Sequence, residues 1–167
     1  MALKISPGHF QYLRQHGEET YPHECCGVLV GAARASGSRT VLQVIRCANT
    51  RTDSPHNRYD IDPRELIRIQ RESQQAGQVI VGFYHSHPDH PAQWSLTDLA
   101  EAHWIDCSYV ITSIEKGKAI LTNSFLLLGE EDTKHFEEEE VLVETVNHSA
   151  ESKEGTKDGS HEGNNDV

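Results

Sequence analysis

The sequence predicts an α/β fold, a single domain in which helices flank a mixed central β-sheet. With 167 residues, the chain has the length of one domain. The run from Val79 to Tyr84 is apolar on both faces of a strand, which is typical of a strand that is covered on both sides. Ser6-Pro7 and Asp62-Pro63 each place a proline directly after an N-cap residue, so each pair predicts the start of a helix.

Two helices and three strands are predicted before this central strand. The first helix starts at Ser6 and ends at Gly17, because glycine adopts the backbone conformations that terminate helices. The second helix starts at Asp62 and ends at Gly77 for the same reason. Apolar and β-branched residues predict the strands, which span residues 25–31, 40–47 and 59–61.

A helix, a hairpin and a final edge strand are predicted after the central strand. Pro88 lacks a backbone donor and therefore ends the central strand. The elements that follow are a helix over residues 95–104, two strands over 107–114 and 118–128 joined at Lys116-Gly117, and an edge strand over 141–146. The four glutamates at 137–140 precede the last strand, and we expect them to be solvated.

Half of the acidic residues lie near the C-terminus. The formal net charge is −11, and residues 130–167 hold 13 of the 26 acidic residues but 3 of the 15 basic ones. The rest of the chain is therefore close to neutral, which argues against a nucleic-acid partner. Residues 148–167 lack apolar periodicity and are predicted to form a disordered acidic tail, whereas residues 1–147 are predicted to form the domain.

The apolar runs and the cysteines predict a cytoplasmic protein. No apolar run of the sequence reaches bilayer length, and no segment has the pattern of a signal peptide, so no membrane partner is expected. Cys25 and Cys26 are adjacent and cannot form an unstrained disulfide, while Cys47 and Cys107 lie in apolar runs and should be buried. One alternative function is a nucleophilic Cys25 or Cys26 with His23 as its base, although adjacent strand residues face opposite ways.

Two histidines at the end of the central strand form a candidate metal site. His85 and His87 are two residues apart, so their side chains point the same way and can hold one ion. The same alternation is expected to place Val79, Val81 and Phe83 on their face.

Ser95 and Asp98 provide the third candidate ligand. They fit the N-cap and third positions of a helix, and capping alone can account for this pair. Taken with His85 and His87, however, the Asp98 carboxylate completes a three-ligand set with an open fourth position. Catalytic zinc requires such a set.

This spacing resembles the motif of the JAMM (MPN-plus) metalloproteases. The match comprises His85-Ser86-His87-Pro88, six further residues, Ser95, two residues and Asp98. The family also has an upstream glutamate just before a strand, and the residues 24–31, Glu-Cys-Cys-Gly-Val-Leu-Val-Gly, fit that place. The resemblance covers roughly residues 3–146 and is to the short prokaryotic members. It implies an α/β domain of the JAMM/MPN, cytidine-deaminase-like type.

The resemblance implies a zinc-dependent hydrolase with one Zn²⁺ per chain, held by His85, His87 and Asp98. It assigns Glu24 as the general base that later protonates the leaving amine. Ser95 would help to stabilise the tetrahedral oxyanion, although its hydroxyl also serves as the helix cap. The implied reaction cleaves amide or isopeptide bonds after the C-terminal Gly-Gly of a ubiquitin-like or sulfur-carrier protein, releasing either cysteine or a lysine side chain. The alternative is a non-catalytic MPN scaffold or binding module, a class whose members usually lose metal ligands.

We expect deletion of residues 150–167 to leave folding and hydrolysis unchanged, because this acidic segment carries no apolar periodicity. The free energy of unfolding should change by less than about 0.5 kcal/mol, the usual range for surface changes. Urea unfolding and a turnover assay on the truncated and full-length chains would test this. Loss of the cooperative transition would contradict it.

Overall fold

A computed structural model describes residues 1–51, 53 and 58–146. This part of the chain contains seven strands and three helices. In chain order they are β1 (Ala2–Ile5), α1 (Pro7–Thr20), β2 (Cys26–Ala33), β3 (Arg39–Cys47), α2 (Pro63–Gln75), β4 (Val79–Pro88), α3 (Leu96–Glu101), β5 (Ser108–Glu115), β6 (Lys118–Leu128) and β7 (His135–Val143). The predicted tail, residues 148–167, lies outside the described residues. None of the helices in the described ranges is long and apolar enough to cross a membrane.

The strands form one mixed sheet that closes on itself in the order β1-β3-β2-β4-β5-β6-β7. β4 pairs in parallel with β5, and β1 pairs in parallel with both β3 and β7, while the other neighbours are antiparallel. The predicted mixed α/β domain is therefore confirmed, but the predicted central sheet flanked by helices differs from the structure in one respect, because the sheet closes into a barrel.

The closing strand, β1, was absent from the sequence prediction. It has four residues, of which Leu3 and Ile5 are buried, so the strand carries too short a periodic signal to be recognised alone. Its pairing with β7 also explains why β7 is not the predicted edge strand.

The helix starts agree with the prediction, and so does the end of α2, where Gly77 with positive φ follows the C-cap residue, whereas the end of α1 differs. Ser6 Oγ accepts a hydrogen bond from the His9 amide, and Asp62 caps the Arg64 amide in the same way at the start of α2. α1 continues past Gly17 to Thr20, because this glycine faces the sheet. A Cβ at Gly17 would come within 2.7 Å of the Ile114 side chain, so the residue serves close packing and not helix termination.

The central strand β4 contributes to two apolar clusters on opposite sides of the sheet. Ile80 and Phe83 pack on the side that includes Ile69 of α2, whereas Val81 and Tyr84 pack on the side that includes Leu13 of α1. Strict alternation cannot produce this grouping. The exposed fraction of Val79, 46%, also places that residue outside the core.

A β-bulge in β4 explains the change of face. Val30 of β2 pairs with Ile80, and its neighbour Leu29 pairs with Gly82, so one extra residue of β4 lies between them. The prediction that Val79 and Val81 share the histidine face is therefore wrong, and the alternation holds only from Phe83 onward.

The second half of the chain agrees with the prediction at its hairpin turn and differs from it at other points, and the loop before α2 differs as well. Lys116 and Gly117 both have positive φ and form the predicted two-residue hairpin turn. The segment 59–61 is a loop and not a strand, and α3 ends at Glu101 instead of residue 104. The glutamate run 137–140 lies within β7.

One of these glutamates is buried, so the expectation that the whole run is solvated is wrong. Glu139 forms an ion pair with Arg39 Nη2, and both side chains are almost fully enclosed. Arg39 Nε also donates to Ser108 Oγ at 2.8 Å, and Ser124 Oγ donates to Glu139 Oε1 at 2.7 Å. This network joins four strands, β3, β5, β6 and β7, so it fixes how the closed sheet comes together.

Replacement of Glu139 by alanine should lower the free energy of unfolding by about 3–5 kcal/mol, because Arg39 would keep an uncompensated buried charge. Glu138→Ala is the matched control, since Glu138 is its exposed neighbour on the same strand and should change stability by less than about 0.5 kcal/mol. Urea unfolding of both variants provides the measurement. Equal, small effects would show that the buried pair does not stabilise the closed sheet.

Candidate metal centre

The pairing of β2 with β4 brings the upstream glutamate to the two histidines. Cys26 lies opposite His85 in the antiparallel register. Beyond that pair, the Ser86 amide donates to the Cys25 carbonyl at 3.2 Å, and the Cys25 amide donates to Ser86 Oγ at 2.8 Å. Glu24, the next residue back, therefore lies beside His87, with Glu24 Oε1 3.9 Å from His87 Nε2.

The start of α3 brings the aspartate to the same place. Ser95 and Asp98 form a capping box, in which the Asp98 amide donates to Ser95 Oγ and the Ser95 amide donates to Asp98 Oδ2. Ser95 Oγ also donates to Asp98 Oδ2 at 2.8 Å. Capping and ligation are thus not exclusive, because the box holds the Asp98 carboxylate towards the histidines.

The nitrogen and oxygen atoms of these four side chains converge. His85 Nε2 and His87 Nε2 are 3.1 Å apart, Asp98 Oδ1 is 3.2 Å from the former, and Asp98 Oδ2 is 3.4 Å from the latter. One ligand atom from each of Glu24, His85 and His87 lies within 4.8 Å of the other two. The structure therefore brings together every residue of the predicted metal set, with the predicted base at its edge.

The surroundings of His87 fit a cation at this point. Its Nδ1 lies 2.8 Å from the Pro91 carbonyl oxygen, which can only accept, so Nδ1 carries the proton. In a neutral ring, Nε2 then directs a lone pair at His85 and at the Asp98 carboxylate. This lone pair and the Asp98 oxygens can be satisfied by a proton on His85 Nε2 or by a cation that lies between the side chains. The Pro91 carbonyl is also the kind of outer partner that orients metal-binding histidines.

A buried oxygen of the upstream glutamate also lacks a partner. Within the described residues, Glu24 Oε2 has no hydrogen-bond partner. Burying such atoms without a partner is costly, and functional sites are where proteins tolerate that cost. The donor set of two imidazoles and carboxylates is one that zinc accepts.

The electrostatics of the cluster are those of a crowded, desolvated acidic site. Burial raises the pKa of Glu24 to about 9, and the charges of Asp98 and Glu101 add to this effect. Burial also raises the pKa of Asp98, but its contacts with His85 and His87 and the hydrogen bond from the Ser95 amide outweigh it and hold that pKa well below its usual range. Burial lowers the pKa of His85 and so favours the neutral imidazole that can bind a metal.

The cysteine alternative finds no support in the structure. All four cysteines are buried and free. Burial raises the pKa of Cys25 to about 11 and raises the pKa of Cys26 further, which suppresses the thiolate that a nucleophile needs.

Two polar residues that lie near the motif in the sequence, Asp89 and His103, have partners outside the cluster. His103 contacts Glu131 on the surface, and Asp89 binds the Tyr21 hydroxyl and the Lys116 amide.

An aromatic wall at the site was missed by the sequence analysis. The Tyr59 ring stacks on the His85 ring, with 4.6 Å between centroids and 27° between planes. Tyr59 also lines a cleft of about 360 Å³ with Phe83, Glu101 and Trp104. A second cleft, of about 620 Å³, includes Pro91, whose carbonyl contacts His87. The sequence analysis assigned Tyr59 to a strand, and nothing in that pattern indicated that its ring would face the histidines.

The fold and the site define a class, a closed mixed α/β domain with a candidate metal centre of histidine and carboxylate groups. The family model described as prokaryotic homologs of the JAB domain matches residues 6–127, and the chain belongs to this family. The resemblance to short prokaryotic JAMM/MPN members is thereby confirmed.

Three curated relatives carry names that describe peptidases. The desampylase of Haloferax volcanii is 39% identical over 92 residues, which cover 55% of this chain and 63% of the relative. The probable TtuB-protein conjugate cleaving protease of Thermus thermophilus is 31% identical over 121 residues, 72% of this chain and 76% of the relative. The CysO-cysteine peptidase of Mycobacterium tuberculosis is 33% identical over 98 residues, 59% of this chain and 64% of the relative. The chain thus spans less than two thirds of the first and third relatives.

Two solved structures share the fold over most of their length. A solution structure of a protein from Desulfitobacterium hafniense has a TM-score of 0.73 and 28% identity, covering 87% of this chain and 95% of the other. A solution structure of a protein from Salinibacter ruber has a TM-score of 0.64 and 33% identity, covering 84% and 91%.

We expect His87→Ala and Asp98→Ala to lose bound zinc, because each removes one of the converging ligand atoms. The control is His103→Ala, an exposed histidine paired with Glu131, which should keep the zinc content of the parent. The measurement is zinc per chain after loading and dialysis, with a chelator competition for affinity. Parent-like zinc in both ligand variants would refute this ligand set.

Proposed function

We propose that this chain is a zinc-dependent hydrolase. It would cleave amide or isopeptide bonds after the C-terminal Gly-Gly of a ubiquitin-like or sulfur-carrier protein. The observation that carries the proposal is the convergence of Glu24, His85, His87 and Asp98 within a few ångströms, at a partly open end of a buried strand. The names of the three relatives, each a peptidase or a conjugate-cleaving or deconjugating protein, support the reaction class and the kind of partner.

His85, His87 and Asp98 would hold one Zn²⁺ per chain. Burial favours the neutral form of His85, the Pro91 carbonyl locates a proton on His87 Nδ1 and so makes Nε2 the nitrogen that would bind, and Asp98 is ionised. Asp98 is preferred to Glu24 as the third ligand, since its oxygens lie 3.2 and 3.4 Å from the two Nε2 atoms, whereas Glu24 Oε1 lies 3.9 Å from His87 Nε2. When bound, zinc supplies Lewis acidity towards the scissile carbonyl and lowers the pKa of water.

Glu24 would carry the proton. Its carboxyl is almost fully buried, and burial raises its pKa above the usual range. The positive charge of a bound ion would lower that pKa towards the working pH, so that the carboxylate could take a proton from water and return it to the leaving amine. If the tetrahedral adduct of the scissile carbonyl lost its C–N bond without that proton, the leaving group would be an amide anion, which is a very poor leaving group. Glu24 therefore serves the same reaction twice, first as a base and then as an acid.

Ser95 would help to stabilise the oxyanion. Its hydroxyl lies at the exposed start of α3 and donates to Asp98 Oδ2. If a cation draws that carboxylate oxygen, the Ser95 proton becomes available to the negative charge that develops on the substrate carbonyl. The hydroxyl still accepts from the Asp98 amide in this arrangement, so the cap is retained.

The substrate has room on both sides of the site. The two clefts meet the cluster through Tyr59 and through Pro91, which leaves space for chain before and after the scissile bond. Both leaving groups, cysteine and a lysine side chain, fit such an open arrangement. The alternative of a non-catalytic scaffold has no observation in its favour, since every group of the predicted site is retained and brought together.

Glu24→Gln should keep zinc and the fold but lose about 10²–10⁴-fold in turnover, because the amide can hydrogen-bond but cannot take the proton. The experiment measures zinc content, affinity for a carrier adduct and single-turnover rate on one preparation. Glu140→Gln, an exposed carboxylate on β7, is the control and should behave as the parent does. A Glu24→Gln rate within about threefold of the parent would remove Glu24 from the mechanism.

A further inference from the structure

The side chain of Asn49, just after β3, makes four hydrogen bonds at the edge of the candidate metal centre. Its Nδ2 donates to the Glu24 carbonyl at 3.3 Å and to the Arg58 carbonyl at 3.1 Å. Its Oδ1 accepts from the Arg51 amide at 3.0 Å and from the Asp60 amide at 3.1 Å. An asparagine amide has two donors and two acceptor sites, so this set uses its full capacity.

The pattern also fixes the orientation of the amide. Both partners of Nδ2 are carbonyl oxygens, and both partners of Oδ1 are N–H groups. The opposite orientation would place acceptor against acceptor and donor against donor at all four contacts.

Two of the four partners flank Tyr59. The Arg58 carbonyl precedes this residue and the Asp60 amide follows it, so one amide grips the backbone on both sides of the ring that stacks on His85. The Thr50 amide and the Thr50 hydroxyl also both donate to the Asp60 carbonyl, at 2.9 and 3.1 Å.

A third partner is the backbone of Glu24. The neighbouring Cys25 is held on the other side by both hydrogen bonds to Ser86 of β4. Glu24 itself lies outside the β2 ladder, which begins at Cys26. Asn49 therefore supplies a side-chain restraint where the regular strand pairing has stopped.

We infer that Asn49 is a positioning residue that holds the carboxylate-bearing Glu24 segment and the Tyr59 wall in one fixed relation to the histidines. The inference rests on the proposed function of Glu24 as the proton carrier. Asn49 acts through Glu24 and Tyr59, and no contact of its own with the histidines is needed. A shift of about 1 Å in a reacting group can cost 10²-fold in rate, so a restraint of this kind matters to turnover.

Two substitutions separate the functions of the amide. Asn49→Ala removes all four bonds. Asn49→Asp keeps both acceptors, and so keeps the Arg51 and Asp60 amides bound, but turns a carboxylate oxygen towards the Glu24 and Arg58 carbonyls. Gln43→Ala is the matched control, because Gln43 is an exposed amide of β3 whose Nε2 donates to Gln78 Oε1.

The kinetic test is a double-mutant cycle with Glu24→Gln. In the parent background, both Asn49 variants should lower kcat by about 10–100-fold with KM within about twofold and zinc content unchanged. In the Glu24→Gln background, the further loss should be less than about threefold, because residues that act as a unit are not additive. A general structural defect would instead give the same fold-loss in both backgrounds and would overturn the inference.

The second test measures hydrogen exchange and does not depend on catalytic activity. Hydrogen exchange of the Asp60 amide in the zinc-free protein should be protected in the parent, in Asn49→Asp and in Gln43→Ala, and should accelerate at least about tenfold in Asn49→Ala. Unchanged exchange in Asn49→Ala would overturn the inference at the level of structure. The cooperative unfolding transition of each variant shows that the comparison is made on folded chains.

The outcomes separate this inference from the proposed function. If Glu24→Gln loses turnover and the Asn49 variants do not, the inference is wrong and the proposed function stands. If Glu24→Gln turns over as the parent does, the assigned base is wrong, and the claim that Asn49 positions it falls as well. If the parent does not hydrolyse a Gly-Gly-linked adduct, the proposed reaction fails, and the exchange of the Asp60 amide still decides whether Asn49 holds the loop.

Discussion

The antiparallel pairing of β2 with β4 is the constraint on which the site depends. It places Cys26 opposite His85, and the two bonds between Cys25 and Ser86 extend the alignment by one step, so that Glu24 arrives beside His87. A one-residue slip of this register would turn one set of side chains to the other face and separate the base from the histidines. The bulge near Gly82 absorbs an extra residue without disturbing that end of the pair. The strand can therefore fill two apolar clusters at its start and still present both histidines at its end.

The closed sheet holds this pairing in place through a buried ion pair as well as through apolar packing. Removing Arg39 and Glu139 from water is costly, and the attraction between them offsets that cost only because the remaining polar atoms are also bonded. Ser108 and Ser124 satisfy one polar atom of each partner, so the network is nearly complete. An ion pair has directional requirements that apolar contacts lack. It can therefore select one way of bringing β3 and β7 together around the four-residue strand β1.

The sequence predicted local features well and long-range features poorly. His85, His87, Ser95 and Asp98 lie within 14 positions of one another on a strand and a helix start, so period and capping rules were sufficient to group them. Glu24 depended on resemblance, because nothing local states which strand pairs with which. The closing strand, the bulge and the burial of Glu139 each depend on partners far along the chain. Tyr59 and Asn49 belong to an irregular loop, where no periodicity exists to be read.

The candidate metal centre itself costs the fold stability, and this cost explains the hydrogen bonds that surround it. Glu24 and His85 are almost fully buried, each leaves one polar atom unpaired within the described residues, and the nearby Asp98 is charged. Groups that repel one another in this way drift apart unless their backbones are restrained. The restraints are visible on every side: Ser86 and Asn49 hold the glutamate segment, Pro91 holds His87, and the capping box holds Asp98. A cation that neutralises the carboxylates would bind to groups already in position, so its binding energy would not be spent on ordering them.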